Sequence, residues 1–265
     1  MRSVRKAGFV CFGEVNTPYE RLKAKHDQAW KLLGKLGVEA VDAGIVLDDP
    51  GYGTAQEAIR KLEGGGFCCL VICVAGWIPS HAVIQVTDPF RHIPMLLWGL
   101  CGWMENGHIV TTADQAGTTA LRPVFEEMGY RYSYVYSTMD QGHPEERIDS
   151  FIRAAYALQR LRQAKIGTMG YRDMLLYGTQ CEGTSLRHVL GIETEPFEML
   201  EMVQNAEKVS RADIETWKTY IDRNWCILNR DAGAEETVER GVRYALAIGR
   251  KVEERGYDAV TLLDV

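Results

Sequence analysis

Near-continuous apolar segments alternate with longer amphipathic stretches through the first part of the chain. Strands that are apolar throughout are typical of a parallel sheet buried on both faces, and the stretches between them can form the crossover helices that parallel strands need. This alternation predicts an α/β fold with a doubly wound, flavodoxin-like parallel sheet. The predicted strands are residues 6–12, 38–46, 67–75, 93–98 and 132–136.

The clearest predicted helix follows the fifth strand and completes this first domain, which we assign to residues 1–163. Pro144 and the two glutamates after it suit the first turn of a helix, where a missing N–H is tolerated and negative charge is favoured. Apolar residues then recur at helical spacing and form one continuous stripe. The stripe consists of Ile148, Phe151, Ile152, Ala155, Leu158 and Leu161.

A second α/β domain is predicted for residues 164–265. It has few strands for its length, and no helix follows the last of them. We therefore expect this second domain to be truncated. Its predicted strands are residues 165–169, 192–197 and 259–265, and its predicted helices lie near residues 184–190, 198–207, 212–222 and 235–254.

The charges and cysteines of the chain narrow its class. A net charge of −6 gives no electrostatic reason to bind nucleic acid or an anionic membrane. Seven cysteines without regular spacing indicate free thiols in a reducing compartment rather than a disulfide framework. The uncharged residues 67–87 are strongly apolar only over residues 67–75, whereas a membrane-spanning helix needs about 20 apolar residues. We therefore expect a soluble, cytoplasmic protein.

The candidate ligand site lies where the loops of the first domain should meet. In an open parallel sheet, ligands bind beyond the carboxyl ends of the strands, at the point where the strand order reverses. The segments 13–18, 76–81, 98–103 and 111–119 should converge there. Their polar side chains and a tryptophan suit a polyhydroxylated ligand. These side chains are Glu14, Asn16, Thr17, Trp77, His81, Asp114, Gln115, Thr118 and Thr119.

Simpler roles remain open for some of these residues. Trp77 could pack at a strand end, and Asn16 and Thr17 could form a turn and cap a helix ahead of Pro18. Residues 51–56 begin like a dinucleotide-binding loop but lack its third glycine, and no phosphate-binding loop, nucleophile elbow or H-E-x-x-H motif occurs. The six histidines lie far apart in the sequence, so no metal ligand can be named.

Several segments, taken in order, resemble the L-arabinose/L-fucose isomerase group. Residues 73–79 resemble its strand and loop with an aromatic residue two before a proline, and residues 114–118 resemble the Asn-Gln-x-x-His-Gly stretch of the arabinose isomerases. Thr118 takes the place of their histidine. The similarity continues, in shorter pieces, through residues 147–155, 166–173, 191–193, 201–203 and 256–261.

The resemblance implies a metal-dependent aldose–ketose isomerase, usually a manganese enzyme, that moves a proton between C1 and C2 through an ene-diol. It implies metal ligands beyond the end of this sequence, and a homo-oligomer in which loops of one subunit complete the sugar site of a neighbour. By the same resemblance, Trp77 stacks on the sugar and Gln115 contacts its hydroxyls. Tyr171 lines the pocket from the second domain, and Glu14 lies where the family has a polar contact.

Two hypotheses follow. The first is that the chain is the N-terminal and central part of a sugar isomerase and is inactive as 265 residues, because binding without the metal supplies no transition-state stabilisation. The alternative is a stand-alone module that binds a sugar or another small metabolite without catalysis, since fold does not determine function.

Overall fold

The computed structural model describes residues 4–228 and 232–262. The chain divides into two compact units, Met1–Gln159 and Arg160–Val265. Each unit has its own sheet and its own clusters of buried apolar residues.

The first unit alternates strands with helices. Its strands are β1 (Arg5–Phe12), β2 (Val38–Val46), β3 (Cys69–Val74), β4 (Met95–Cys101), β5 (Trp103–Glu105), β6 (His108–Val110) and β7 (Tyr132–Thr138). Its helices are α1 (Tyr19–Lys35), α2 (Gly53–Leu62), α3 (Ser80–Thr87), α4 (Asp114–Glu127) and α5 (Glu145–Gln163), and the last residues of α5 belong to the second unit.

The main sheet has five parallel strands in the order β2-β1-β3-β4-β7. This is the strand order of a doubly wound, flavodoxin-like sheet, so the predicted fold class is confirmed. The central strands β3 and β4 are buried at every residue, as their apolar sequences predict. Strands β5 and β6 form a separate antiparallel hairpin that the sequence analysis did not predict.

Helices cover both faces of this sheet because successive strand residues point to opposite faces. On β1, Val10 and Phe12 pack in the cluster that includes residues of α2, α3 and α4. Phe9 and Cys11 pack in the cluster that includes residues of α1 and α5. The stripe predicted on α5 is buried at three of its positions, Ile148, Ile152 and Ala155.

The second unit contains a three-stranded parallel sheet in the order β10-β8-β9. Its strands are β8 (Lys165–Met169), β9 (Glu193–Phe197) and β10 (Ala259–Leu262), and its helices are α6 (Gly183–Leu190), α7 (Met199–Glu207), α8 (Arg211–Asn224) and α9 (Ala232–Arg255). The predicted final strand extends to residue 265, and residues 263–265 lie outside the described part of the chain.

The structure shows the state of the cysteines and whether its helices could cross a membrane. All seven thiols are free; five of them are buried in the first unit, and Cys181 and Cys226 are exposed. Within residues 4–228 and 232–262, no helix has both the length and the apolar character needed to cross a membrane.

Two isoleucines in the first unit test how far the sheet core determines stability. We expect Ile72→Ala, at a fully buried position of β3, to lower the free energy of unfolding by about 2–5 kcal/mol, because it removes buried methyl groups and leaves a cavity. Ile109→Ala in the hairpin is the matched control, because Ile109 is 75% exposed and its loss should cost less than about 0.5 kcal/mol. Denaturant titration measures both changes, and equal losses would contradict this assignment of the core.

Candidate functional site

The candidate site lies at the carboxyl ends of β1 and β3, which are neighbours in the sheet. The chain leaves β1 towards α1 on one face of the sheet and leaves β3 towards α3 on the other. Because the two connections diverge, this is the place where such folds usually form a crevice and bind a ligand, and we call it the crevice.

Close backbone contacts bring three segments together at this crevice. A Cβ atom on Gly117 would lie 3.4 Å from the carbonyl oxygen of Gly76 and 3.5 Å from Cα of Trp77, so α4 lies within van der Waals distance of the loop after β3. A Cβ atom on Gly76 would lie 3.4 Å from Oγ1 of Thr17, in the loop after β1. The Trp77 amide also donates a hydrogen bond to the carbonyl of Thr112 over 2.7 Å.

A buried ion pair lies beneath these segments. Nζ of Lys25, on α1, is 2.6 Å from Oδ2 of Asp114, the first residue of α4, and their side chains are 0% and 1% exposed. Lys25 also donates to Oγ1 of Thr112 over 3.0 Å. The Thr112 hydroxyl in turn donates to the carbonyl of Ala75 over 2.6 Å. One ammonium group therefore connects α1 to α4, to the segment before α4 and to the end of β3.

The turn that precedes α4 is strained. Ala113 lies between Thr112 and Asp114 in the left-handed conformation, with φ of 55° and ψ of 23°. For a residue with a Cβ atom, this conformation costs about 1 kcal/mol or more. The other oxygen of the Asp114 carboxylate, Oδ1, is buried and has no hydrogen-bond partner among the described residues.

The sequence analysis missed Lys25, although the sequence carries a signal for it. The buried residues of α1 recur at helical spacing, and Lys25 is one of them. A lysine in the apolar stripe of a helix must find a buried partner, because an unpaired charge in a core is strongly disfavoured. The stripe consists of Leu22, Lys25, Ala29, Leu32 and Leu33.

Four of the predicted site residues lie in the segments that meet at the crevice. Trp77 is 37% exposed. Gln115 is exposed in the first turn of α4, and its Oε1 accepts a hydrogen bond from Sγ of Cys101 over 2.9 Å. Glu14 is half-buried and Asn16 exposed in the loop between β1 and α1. Trp77, Gln115 and Asn16 thus have exposed side chains at this end of the sheet, where Glu14 is half-buried.

Two further predicted site residues, Thr118 and Tyr171, have different surroundings. The Thr118 side chain is buried, its hydroxyl donates to the carbonyl of Asp114 over 2.7 Å, and it packs against Gly99. In this structure, Thr118 therefore supports α4 from inside and is closed to a ligand. Tyr171 belongs to the second unit, where it is 73% exposed and donates to Oε1 of Glu198 over 2.6 Å.

The unpredicted hairpin adds an aromatic side chain to this end of the sheet. The guanidinium carbon of Arg21 lies 5.1 Å from the ring centroid of Trp103, and Nζ of Lys25 lies 5.8 Å from it. Cations at such distances are attracted by the negative face of the ring. The indole therefore contacts both an exposed cation and the buried ion pair.

Cys101, at the end of β4, is a protonated thiol. Its burial, together with the nearby Asp114 carboxylate, raises the pKa of Cys101 to about 12. At neutral pH the thiol keeps its proton and donates a hydrogen bond to Oε1 of Gln115. Cys101 is therefore a structural contact for Gln115 and is unsuited to act as a nucleophile, which requires the thiolate.

The described residues do not fit the divalent metal that the family resemblance implies. Nowhere in residues 4–228 and 232–262 do three or more His, Cys, Asp or Glu side chains come together in a group that could hold a metal ion.

Comparison with known proteins gives one informative match. No family model matches the chain. The chain is 20% identical over 182 residues to the sulfoquinovose isomerase of Alkalicoccus urumqiensis. The match covers 68% of this chain and 40% of that enzyme, so the chain spans less than half of its relative's length. The similarity supports a relationship to sugar isomerases, while membership of the L-fucose/L-arabinose group stays a prediction.

The state of Cys101 can be tested by alkylation. With iodoacetamide at about pH 8, we expect Cys181 and Cys226 to react at least about 100-fold faster than Cys101, because they are exposed and a thiol with a pKa near 12 is almost wholly protonated at that pH. Mass spectrometry of peptides measures each rate. Protein unfolded in guanidinium is the control, in which the three cysteines should react alike. Equal rates in the folded protein would contradict the protonated, buried state.

Proposed function

We propose that this chain forms the sugar-binding part of an aldose–ketose isomerase. The observation that carries the proposal is the close approach of three segments at the switch point of the sheet: the loop after β1, the loop after β3 and the start of α4. These segments carry Glu14 and Asn16, Trp77, and Gln115, respectively. The similarity to a sugar isomerase supports the same conclusion independently.

The chemistry of these side chains suits a sugar. A half-exposed indole offers a flat apolar face to the C–H groups of a sugar ring. An amide, a carboxylate and a second amide offer both donors and acceptors to hydroxyl groups. In this proposal the residues bind and orient the sugar, and the proton transfer between C1 and C2 uses groups outside this set.

The finer parts of the proposal come from the family resemblance. The enzyme would be an L-fucose/L-arabinose-type isomerase that uses a divalent metal, manganese in the family, to polarise the sugar carbonyl. Since the described residues offer no metal site, that ion would be held by other residues. We further propose a cytoplasmic homo-oligomer whose subunits share the sugar site, with Tyr171 lining it. The free thiols agree with a reducing compartment.

A titration of the 265-residue chain tests the proposal. We expect L-fucose, L-arabinose or sulfoquinovose to shift NMR signals of the Trp77 indole with a Kd on the order of 1 mM, without metal and without isomerisation. Failure of every sugar to shift these signals would overturn the sugar site. If this chain isomerised a sugar after manganese was added, our proposal that other residues hold the metal would be wrong. A Kd near 1 μM without metal would instead favour a stand-alone binding module.

Trp77 should matter for binding more than for folding. We expect Trp77→Ala to raise the sugar Kd about tenfold or more, equivalent to about 1.4 kcal/mol, because stacking on the indole is lost. The thermal midpoint should move by less than about 4 °C, because the side chain is only partly buried. Trp217→Ala on α8 is the matched control, since Trp217 is 46% exposed and lies in the second unit. A large loss of stability with unchanged affinity would mean that Trp77 is a packing residue.

A further inference from the structure

The buried pair of Lys25 and Asp114 calls for an explanation beyond stability. Removing two charges from water costs about as much free energy as their attraction returns, and well-packed apolar side chains often serve a core equally well or better. Both side chains are fully buried at the carboxyl edge of the sheet, directly beneath the segments of the candidate site. The position of the pair points to a role in the geometry of that site.

The contacts of the ammonium group suggest what that role is. Lys25 contacts Thr112 and Asp114, which flank the left-handed residue Ala113. A strained residue keeps its conformation only where its surroundings hold it, and such residues are found preferentially at functional sites. Lys25 holds the chain on both sides of the strained residue.

The same turn determines the position of two candidate sugar contacts. The carbonyl of Thr112 accepts the hydrogen bond from the Trp77 amide. Gln115 follows Asp114 directly in the first turn of α4. A shift of the turn would therefore move both the backbone of Trp77 and the side chain of Gln115.

We propose that Lys25 is a positioning residue of the sugar site, which holds the turn at Ala113 so that Trp77 and Gln115 face the ligand together. The proposal rests on the proposed function for its ligand. The claim that Lys25 maintains the hydrogen bond from the Trp77 amide to the Thr112 carbonyl does not depend on any ligand. Lys25 acts from inside the protein and does not touch the sugar.

The test removes both charges together, so that neither is left buried and unpaired. The double variant K25M/D114N keeps the approximate volume of both side chains. In this variant we expect sugar affinity to fall at least about tenfold while the far-UV circular dichroism stays that of the wild type. The matched control is K35M/E145Q, which removes a solvent-exposed ion pair between α1 and α5 and should leave the affinity unchanged.

Amide hydrogen exchange separates positioning from a general loss of stability. The Trp77 amide is bonded to Thr112, whereas the Leu70 amide, in the same connection's strand β3, is bonded to Pro94 before β4. In K25M/D114N we expect exchange at Trp77 to accelerate at least about tenfold while exchange at Leu70 keeps its wild-type rate. Equal acceleration at both amides would show a merely structural role and overturn the proposal, and so would wild-type exchange and affinity in the double variant.

Two further outcomes are covered by the design. If no sugar binds the wild type, the proposed function fails, and the comparison of Trp77 with Leu70 still decides whether Lys25 controls the turn. If K25M/D114N does not fold, Thr112→Val takes its place, because it keeps both charges and the side-chain shape but removes the hydroxyl that Lys25 contacts. The same selective acceleration at Trp77 is then expected, and its absence would overturn the proposal.

Discussion

The parallel sheet of the first unit imposes the constraint on which its other features depend. Strands β3 and β4 are buried along their whole length, so helices must cover both faces of the sheet. Parallel strands also place all their carboxyl ends at one edge, and each connection must begin there. The loops that carry Glu14, Asn16 and Trp77 therefore begin at the same edge, because the strands before them are hydrogen-bonded in parallel.

At that edge, polar groups inside the core connect the segments that surround the candidate site. The ammonium of Lys25 contacts Asp114 and Thr112 within the protein interior, where electrostatic interactions are stronger than at the surface. The same enclosure keeps the thiol of Cys101 protonated and bonded to Gln115. In our proposal, site geometry and core packing are parts of one network, in which Trp77 and Gln115 contact the sugar and are held by buried residues that do not touch it.

The sequence analysis succeeded where local patterns are long and failed where they are short. The five strands of the main sheet and the stripe of α5 extend over enough residues for their periodicity to be recognised. Strands β5 and β6 have three residues each, too few to show alternation, so the hairpin and the contact of Trp103 with Arg21 were missed. Thr118 was predicted to face the ligand because it lies in a family-like motif, but helical geometry turns it inward beneath Gly99.

By itself, the sequence determined the fold class and the edge of the sheet at which a ligand site would form, since apolar strands and amphipathic helices have distinct periods. It also identified the segments of Trp77 and Gln115. The apolar stripe of α1 indicates that Lys25 is buried, but its partner Asp114 lies 89 positions away and was expected to face a ligand. Their pairing depends on the packing of α1 and α4 around one sheet edge, and no local pattern encodes that contact.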